Sequence, residues 1–254
     1  MKSRLMCVVI LLAGSAAAQL DQSSLNRMDI TVINADVDQG LSLPANQKNY
    51  SAGALVSAAD LAIPARARKE FDRANELLRK QDWGHAAKDL QKAVSIDPGF
   101  AGAYNNLGVA YANLGDIASE RVALHKAIEL NDHFALAYVN LGRMDITNGN
   151  YPAAQAAFEN ASTLDATDPV ALTLLAYAEL EQGHLQRTVA VSQKAHALSA
   201  PHALAHRFAA RAFEQQGQFE RAIAELTQSL KEEASGPHAD SAREEIEIVQ
   251  QLQH

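Results

Sequence analysis

The amino-acid sequence predicts an all-α protein built as a solenoid of stacked helical hairpins. Composition is the first reason. Alanine supplies 49 of the 254 residues, while aromatics make up 6%, glycine 13 residues and proline 7. Alanine is the strongest helix former, and its small side chain lets helices approach closely. The second reason is a fixed interval: Gly115, Gly149, Gly183 and Gly217 stand 34 residues apart, and one step back falls on Gln81. The third is that three other residue classes keep step with these marks. Two residues after each comes a large apolar side chain (Trp83, Ile117, Tyr151, Leu185, Phe219). Seven residues before each comes a small one (Ala74, Gly108, Gly142, Ala176, Ala210). Twelve residues after comes another (Ala93, Ala127, Ala161, Ala195, Ser229). A period of this length marks a repeat architecture.

Taken in order, the chain opens with an address. Met1 to Ala18 has a basic start at Lys2 and Arg4, an apolar stretch from Leu5 to Ala13, and Ala16-Ala17-Ala18 before Gln19. This is the layout of a secretory signal peptide, residues 1–18. Its apolar stretch is too short for a hydrocarbon core of ~30 Å. Cleavage removes Cys7, the only cysteine, and with Lys2 and Arg4 takes the net charge from −8 to −10. The expected product is exported, periplasmic or secreted, with no membrane-spanning segment after cleavage. Residues 19–63 follow as a flexible or loosely docked segment, polar and broken by Gly40, Pro44 and Gly53. Within it Met28 to Val32 alternates weakly, as a single strand would.

The hairpins come next. Each 34-residue unit predicts a first helix of about 14 residues, a turn at the glycine and a second helix of similar length. Glycine suits the turn because it takes positive φ without strain. The small residues mark where the two helices cross, and the large residue after the turn packs between neighbours. One hairpin cannot bury its apolar stripe alone, so neighbours must stack. The units are 67–100, 101–134, 135–168, 169–202 and 203–236. After Gly236-Pro237 a terminal helix is expected over 237–253. Its apolar stripe is Ala242, Ile246 and Val249, opposite Arg243, Glu244, Glu247 and Gln250, which suits a cap on the open end.

These residues resemble a known family. Tyr104, Leu107, Gly108, Tyr111, Gly115, Leu124 and Ala127 form a pattern similar to a tetratricopeptide repeat, and Tyr138, Leu141, Gly142, Ala154, Phe158 and Ala161 repeat it. Residues 67–100 match through Ala74, Ala86, Leu90, Ala93 and Pro98, but carry Glu70 and Arg73 at usually apolar positions, as an end repeat would. Residues 169–236 match more weakly, with Ser192 and Ala209 in place of larger residues. The resemblance implies a right-handed superhelix whose concave groove holds a peptide or protein segment. It also implies that the fifth and ninth positions of each first helix line that groove. These are Phe71 and Asn75, Asn105 and Val109, Val139 and Arg143, Thr173 and Tyr177, Arg207 and Arg211, with Asn106 and Asn140 from the sixth positions. The candidate groove residues are therefore Asn75, Asn105, Asn106, Asn140, Arg143, Tyr177, Arg207 and Arg211. Asparagine can donate to and accept from an extended backbone, and arginine can fork onto a carboxylate. One branch of the family clamps C-terminal carboxylates with asparagines and basic residues. Asn75 and Asn106 match its asparagines, whereas Phe71, Leu136 and Asn140 stand where it needs bases, so that clamp is incomplete here.

Other chemistry is not expected. The acidic balance, 30 acidic against 22 basic residues, argues against nucleic acid as a partner. A single cysteine excludes an intrachain disulfide and a cysteine-based zinc site. No catalytic motif is present, so no enzyme, cofactor or metal is expected. His202 and His206 share a helix face near His196, yet the repeat register gives His206 a packing role. Glu232-Glu233 and Glu244-Glu245 read as solvated faces. Charge is uneven: +3 over Arg66–Lys92 against −5 over Glu220–Glu247, so weak head-to-tail association is an expectation, diminished by salt. The sequence thus predicts an exported interaction scaffold. The alternative is a self-assembling or structural part of a cell-envelope complex with no groove ligand.

Overall fold

The computed structural model describes residues 63–198, 203–235 and 237–252. Among them lie eleven α-helices and no strand. Helix α1 (Ala65–Arg79) pairs with α2 (Trp83–Ile96), α3 (Ala101–Leu114) with α4 (Ile117–Leu130), and α5 (Ala135–Thr147) with α6 (Tyr151–Leu164). Then α7 (Pro169–Glu181) pairs with α8 (Leu185–Leu198), α9 (Ala203–Gln215) with α10 (Phe219–Glu232), and α11 (Pro237–Leu252) follows. The expected signal peptide, the N-terminal segment to residue 62 and the strand at Met28–Val32 lie outside the described residues, as does His202.

Every helix packs on the next in the chain, and the first helices α1, α3, α5, α7 and α9 also touch one another in succession. Contacts of that extent do not join the second helices among the described residues. The first helices therefore form the more closely set layer of the stack.

The turns explain the 34-residue interval. Gly115, Gly149, Gly183 and Gly217 all have φ between 70° and 74°. This left-handed residue lets the next amide reach back to a carbonyl at the helix end. Asp116 N–H donates to Tyr111 O, Asn150 to Asp145, His184 to Glu179 and Gln218 to Phe213, at 2.8–3.0 Å. Such 6→1 bonds close a helix C-terminus. In the first hairpin Gln81 adopts the same conformation, φ 58°, and Asp82 N–H donates to Leu77 O. Asp82 and Asp116 then cap the following helices by accepting from the amides of His85 and Ser119. Between hairpins, Asp97, Asn131 and Asp165 accept from the backbone two residues on, three like turns one repeat apart.

All ten small positions are buried. At two of them the crossing is too tight for any side chain: a Cβ on Gly108 would stand 2.7 Å from Leu124, and one on Gly142 2.6 Å from the Phe158 ring. Of the large residues after the turns, Trp83, Tyr151, Leu185 and Phe219 are half-buried. Ile117 departs from the expectation. It is 45% exposed and lies, with exposed Leu114, on the flanks of the Gly115 turn. In the first hairpin Arg73 is exposed, as expected of an end repeat, and its guanidinium forks onto Asp89 of α2. On α11 the predicted stripe packs inward, with Ala242, Ile246 and Val249 against Phe213, Ala222 and Leu226.

Candidate functional site

The first helices were expected to present their fifth and ninth positions to a partner. The structure corrects half of this. Phe71, Asn105, Val139, Thr173 and Arg207, the fifth positions, are all buried. Successive first helices touch, so this position faces the seam between them rather than solvent. Of the ninth positions, Asn75, Val109, Arg143 and Arg211 are half-buried, while Tyr177 is only 3% exposed. Tyr177 stacks on Phe208 of α9 at 5.6 Å and meets Tyr151 edge-on at 6.1 Å, so it is a core residue and not groove lining.

The four asparagines come together as one row. Asn140 Nδ2 donates to Asn105 Oδ1 at 2.9 Å, Asn105 Nδ2 to Asn106 Oδ1 at 3.1 Å, and Asn106 Nδ2 to Asn75 Oδ1 at 2.7 Å. The row crosses from α5 through α3 to α1, with Asn140 and Asn105 buried and Asn106 and Asn75 half-exposed. Each carboxamide offers two N–H donors and two acceptor lone pairs. The row takes one donor from each of three side chains and leaves capacity at its exposed end.

Two buried carboxyl groups on α4 and α5 were not singled out by the sequence. Glu120 on α4 is 8% exposed. Burial, partly offset by Arg143 and Arg121, pushes its pKa up to about 7. Burial likewise raises Asp145 on α5, against Arg121 at 3.9 Å and His125. A signal for Asp145 did exist: it stands four residues before Gly149, as Glu179 does before Gly183, and Glu179 is fully buried between His184 and Arg187. Arg143 thus lies near the Glu120 carboxyl.

The late arginines are engaged by α11. Arg207 is 4% exposed and donates to Ser241 Oγ at 3.1 Å, with Glu245 at 3.7 Å. Arg211 donates to Glu245 Oε1 at 3.2 Å. They hold the terminal helix rather than lining an open groove. This also corrects the reading of Glu244-Glu245 as a solvated face, because Glu245 is buried. Glu232 is corrected likewise: its side chain is 8% exposed and lies against His196 and His206. No helix among the described residues is long and apolar enough to cross a membrane.

A "TPR repeat" profile fits residues 74–115, and two "Tetratricopeptide repeat" profiles fit residues 101–134 and 135–195. Tetratricopeptide-repeat profiles thus fit residues 74–195 of the chain. Solved TPR structures share the fold. MamA from Desulfovibrio magneticus RS-1 is 20% identical, with a TM-score of 0.63 over 69% of this chain and 99% of that one. YrrB, described as a TPR protein with an unusual peptide-binding site, is 19% identical, with a TM-score of 0.60 over 75% and 100%. PilW, a type IV pilus biogenesis factor, is 18% identical, with a TM-score of 0.62 over 68% and 80%. No curated protein matches the sequence. The α9–α10 hairpin lies beyond the profiles, yet has the same glycine turn.

Proposed function

We propose that this TPR protein is exported and binds an extended peptide or protein segment along its first helices. The residues offered are Asn75, Asn106 and Arg143, with Asn105 and Asn140 behind them as positioning groups. One observation carries the reading. The asparagines of three successive first helices form a continuous hydrogen-bonded row whose outer end is half-exposed. A peptide backbone presents alternating donors and acceptors, which carboxamides satisfy from either side. The likeness to YrrB, whose description names a peptide-binding site, is consistent with it, and the signal-like start supports export. Residues 203–236 belong in this reading as a fifth repeat, and α11 closes the stack behind it.

The test is a pull-down from envelope extract with the mature protein, beside the Asn75→Ala/Asn106→Ala double variant after circular dichroism has shown that it folds. A partner retained by the parent and lost by the variant supports the row as the binding surface. A partner retained equally by both sinks that assignment, and recovery of the protein alone favours self-assembly.

A further inference from the structure

We propose that His196, His206 and Glu232 form a binding site for a divalent transition-metal ion of the zinc type, at the junction of α8, α9 and α10. The three residues come from three helices. His196 lies near the end of α8, His206 in the first turn of α9 and Glu232 at the end of α10. Their ligand atoms converge on one point. His206 Nε2 lies 3.1 Å from His196 Nδ1 and 3.4 Å from Glu232 Oε1, and His196 Nδ1 lies 3.3 Å from the same oxygen. A tetrahedral ion with bonds of 2.0–2.1 Å separates its ligands by about 3.3–3.4 Å. The triangle of donors is therefore already one face of a zinc coordination sphere.

The outer partners fit as well. Glu225 Oε2 lies 2.6 Å from His206 Nδ1. A carboxylate only accepts, so it holds the hydrogen on Nδ1 and leaves the Nε2 lone pair aimed at the other two donors. Metal-ligating histidines are oriented by this kind of contact. Gln228 donates to Glu232 Oε1 at 3.5 Å and helps fix that oxygen. With neither facing nitrogen protonated, two lone pairs and a carboxylate oxygen this close repel one another unless something positive lies among them. A proton satisfies two such atoms along a line, whereas three atoms at nearly equal separations suit an ion. His196 is the most open of the three, its side chain 34% exposed, against 12% for His206 and 8% for Glu232. The fourth coordination position then belongs to water or to a donor from a partner. A bound ion would tie the last turn of one hairpin to both helices of the next.

The experiment is zinc titration by calorimetry on untagged, metal-stripped protein at neutral pH, with Co²⁺ absorption to report the geometry. The expected result is one equivalent of Zn²⁺ and a tetrahedral Co²⁺ spectrum. His196→Gln, which alters the most exposed ligand and so leaves the fold intact, should lose binding by 100-fold or more on the scale of a lost ligand, as should Glu232→Gln. Glu225→Gln should weaken it about 10–100-fold. Absence of stoichiometric binding, or equal binding by parent and His196→Gln, overturns the proposal, the second outcome placing the ion at other histidines.

Discussion

The tightest point of the stack makes the sharpest test of how it is built. Replacing Gly142 with alanine places a Cβ 2.6 Å from Cε1 and Cζ and 2.9 Å from Cδ1 of Phe158. Carbon atoms in good contact stand about 3.5–4.0 Å apart, so the ring or the helix has to retreat by about 1 Å. Phe158 is fully buried, and so is the alanine-rich surface around it, which leaves the ring no open side to swing into. Overpacking of this kind costs about 1–3 kcal/mol. Alanine recovers about 1 kcal/mol of helix propensity over glycine. The net expectation is a loss of up to about 2 kcal/mol, or a fall in Tm of up to roughly 8 °C for a domain of this size. Gly84 supplies the control. It lies in the first turn of α2, and a Cβ there meets nothing within 4 Å, so Gly84→Ala should hold or raise the Tm. Thermal and urea unfolding followed by circular dichroism measure both. If Gly142→Ala melted at or above the parent, the small residues would not be setting the helix separation, and the assignment of the 34-residue register would fail.

Three further outcomes are expected. Glu245→Ala removes the buried carboxylate that faces Arg207 and Arg211 and should cost about 3 kcal/mol, the low end for breaking a buried pair; hydrogen exchange over 237–252 should rise while exchange in α1–α4 stays put, and unchanged protection of α11 would contradict the clamp. Glu120 holds its proton more tightly folded than unfolded, with a pKa of about 7 against an ordinary 4.5, so its contribution is fully present below about pH 4.5 and is lost as pH rises through 7, by about 3 kcal/mol. Glu120→Gln should therefore stabilise the protein at pH 8, and much less at pH 5, in paired urea titrations; an equal shift at both pH values would refute the assignment. Gln81→Gly relieves a left-handed backbone costing about 1–2 kcal/mol, against about 0.5–1 kcal/mol for the freer unfolded chain; a modest rise in Tm is expected, and a fall would show that the Gln81 side chain matters to the turn.

The sequence made the helices and their crossings legible because those positions tolerate few residues. A left-handed turn selects glycine, and a helix pair in contact selects glycine or alanine, so both leave a mark at every repeat. The binding surface leaves a weaker mark. Position within a helix says which way a side chain points but not what covers it, and the fifth positions point into the seam between first helices. Arg207 and Arg211 were legible in another way. Ser241 and Glu245 stand one 34-residue interval beyond them, so α11 occupies the place of a next first helix and takes up their charges. The His196, His206 and Glu232 cluster had no comparable signature, because its third member comes from the second helix of the following hairpin.

The asparagine row has a direction. Each of its hydrogen bonds runs the same way, from the amide of Asn140 towards the carbonyl oxygen of Asn75. Turning one carboxamide over sets oxygen against oxygen on one side and N–H against N–H on the other, so the four can reverse only together. The row thus holds carboxamides from three helices in one common sense. If the proposed ligand engages the outer amide, its donors and acceptors have to match the sense already set by the buried ones. On the proposed function, that sense would favour a strand running one way over the same strand reversed, before any side chain has been compared.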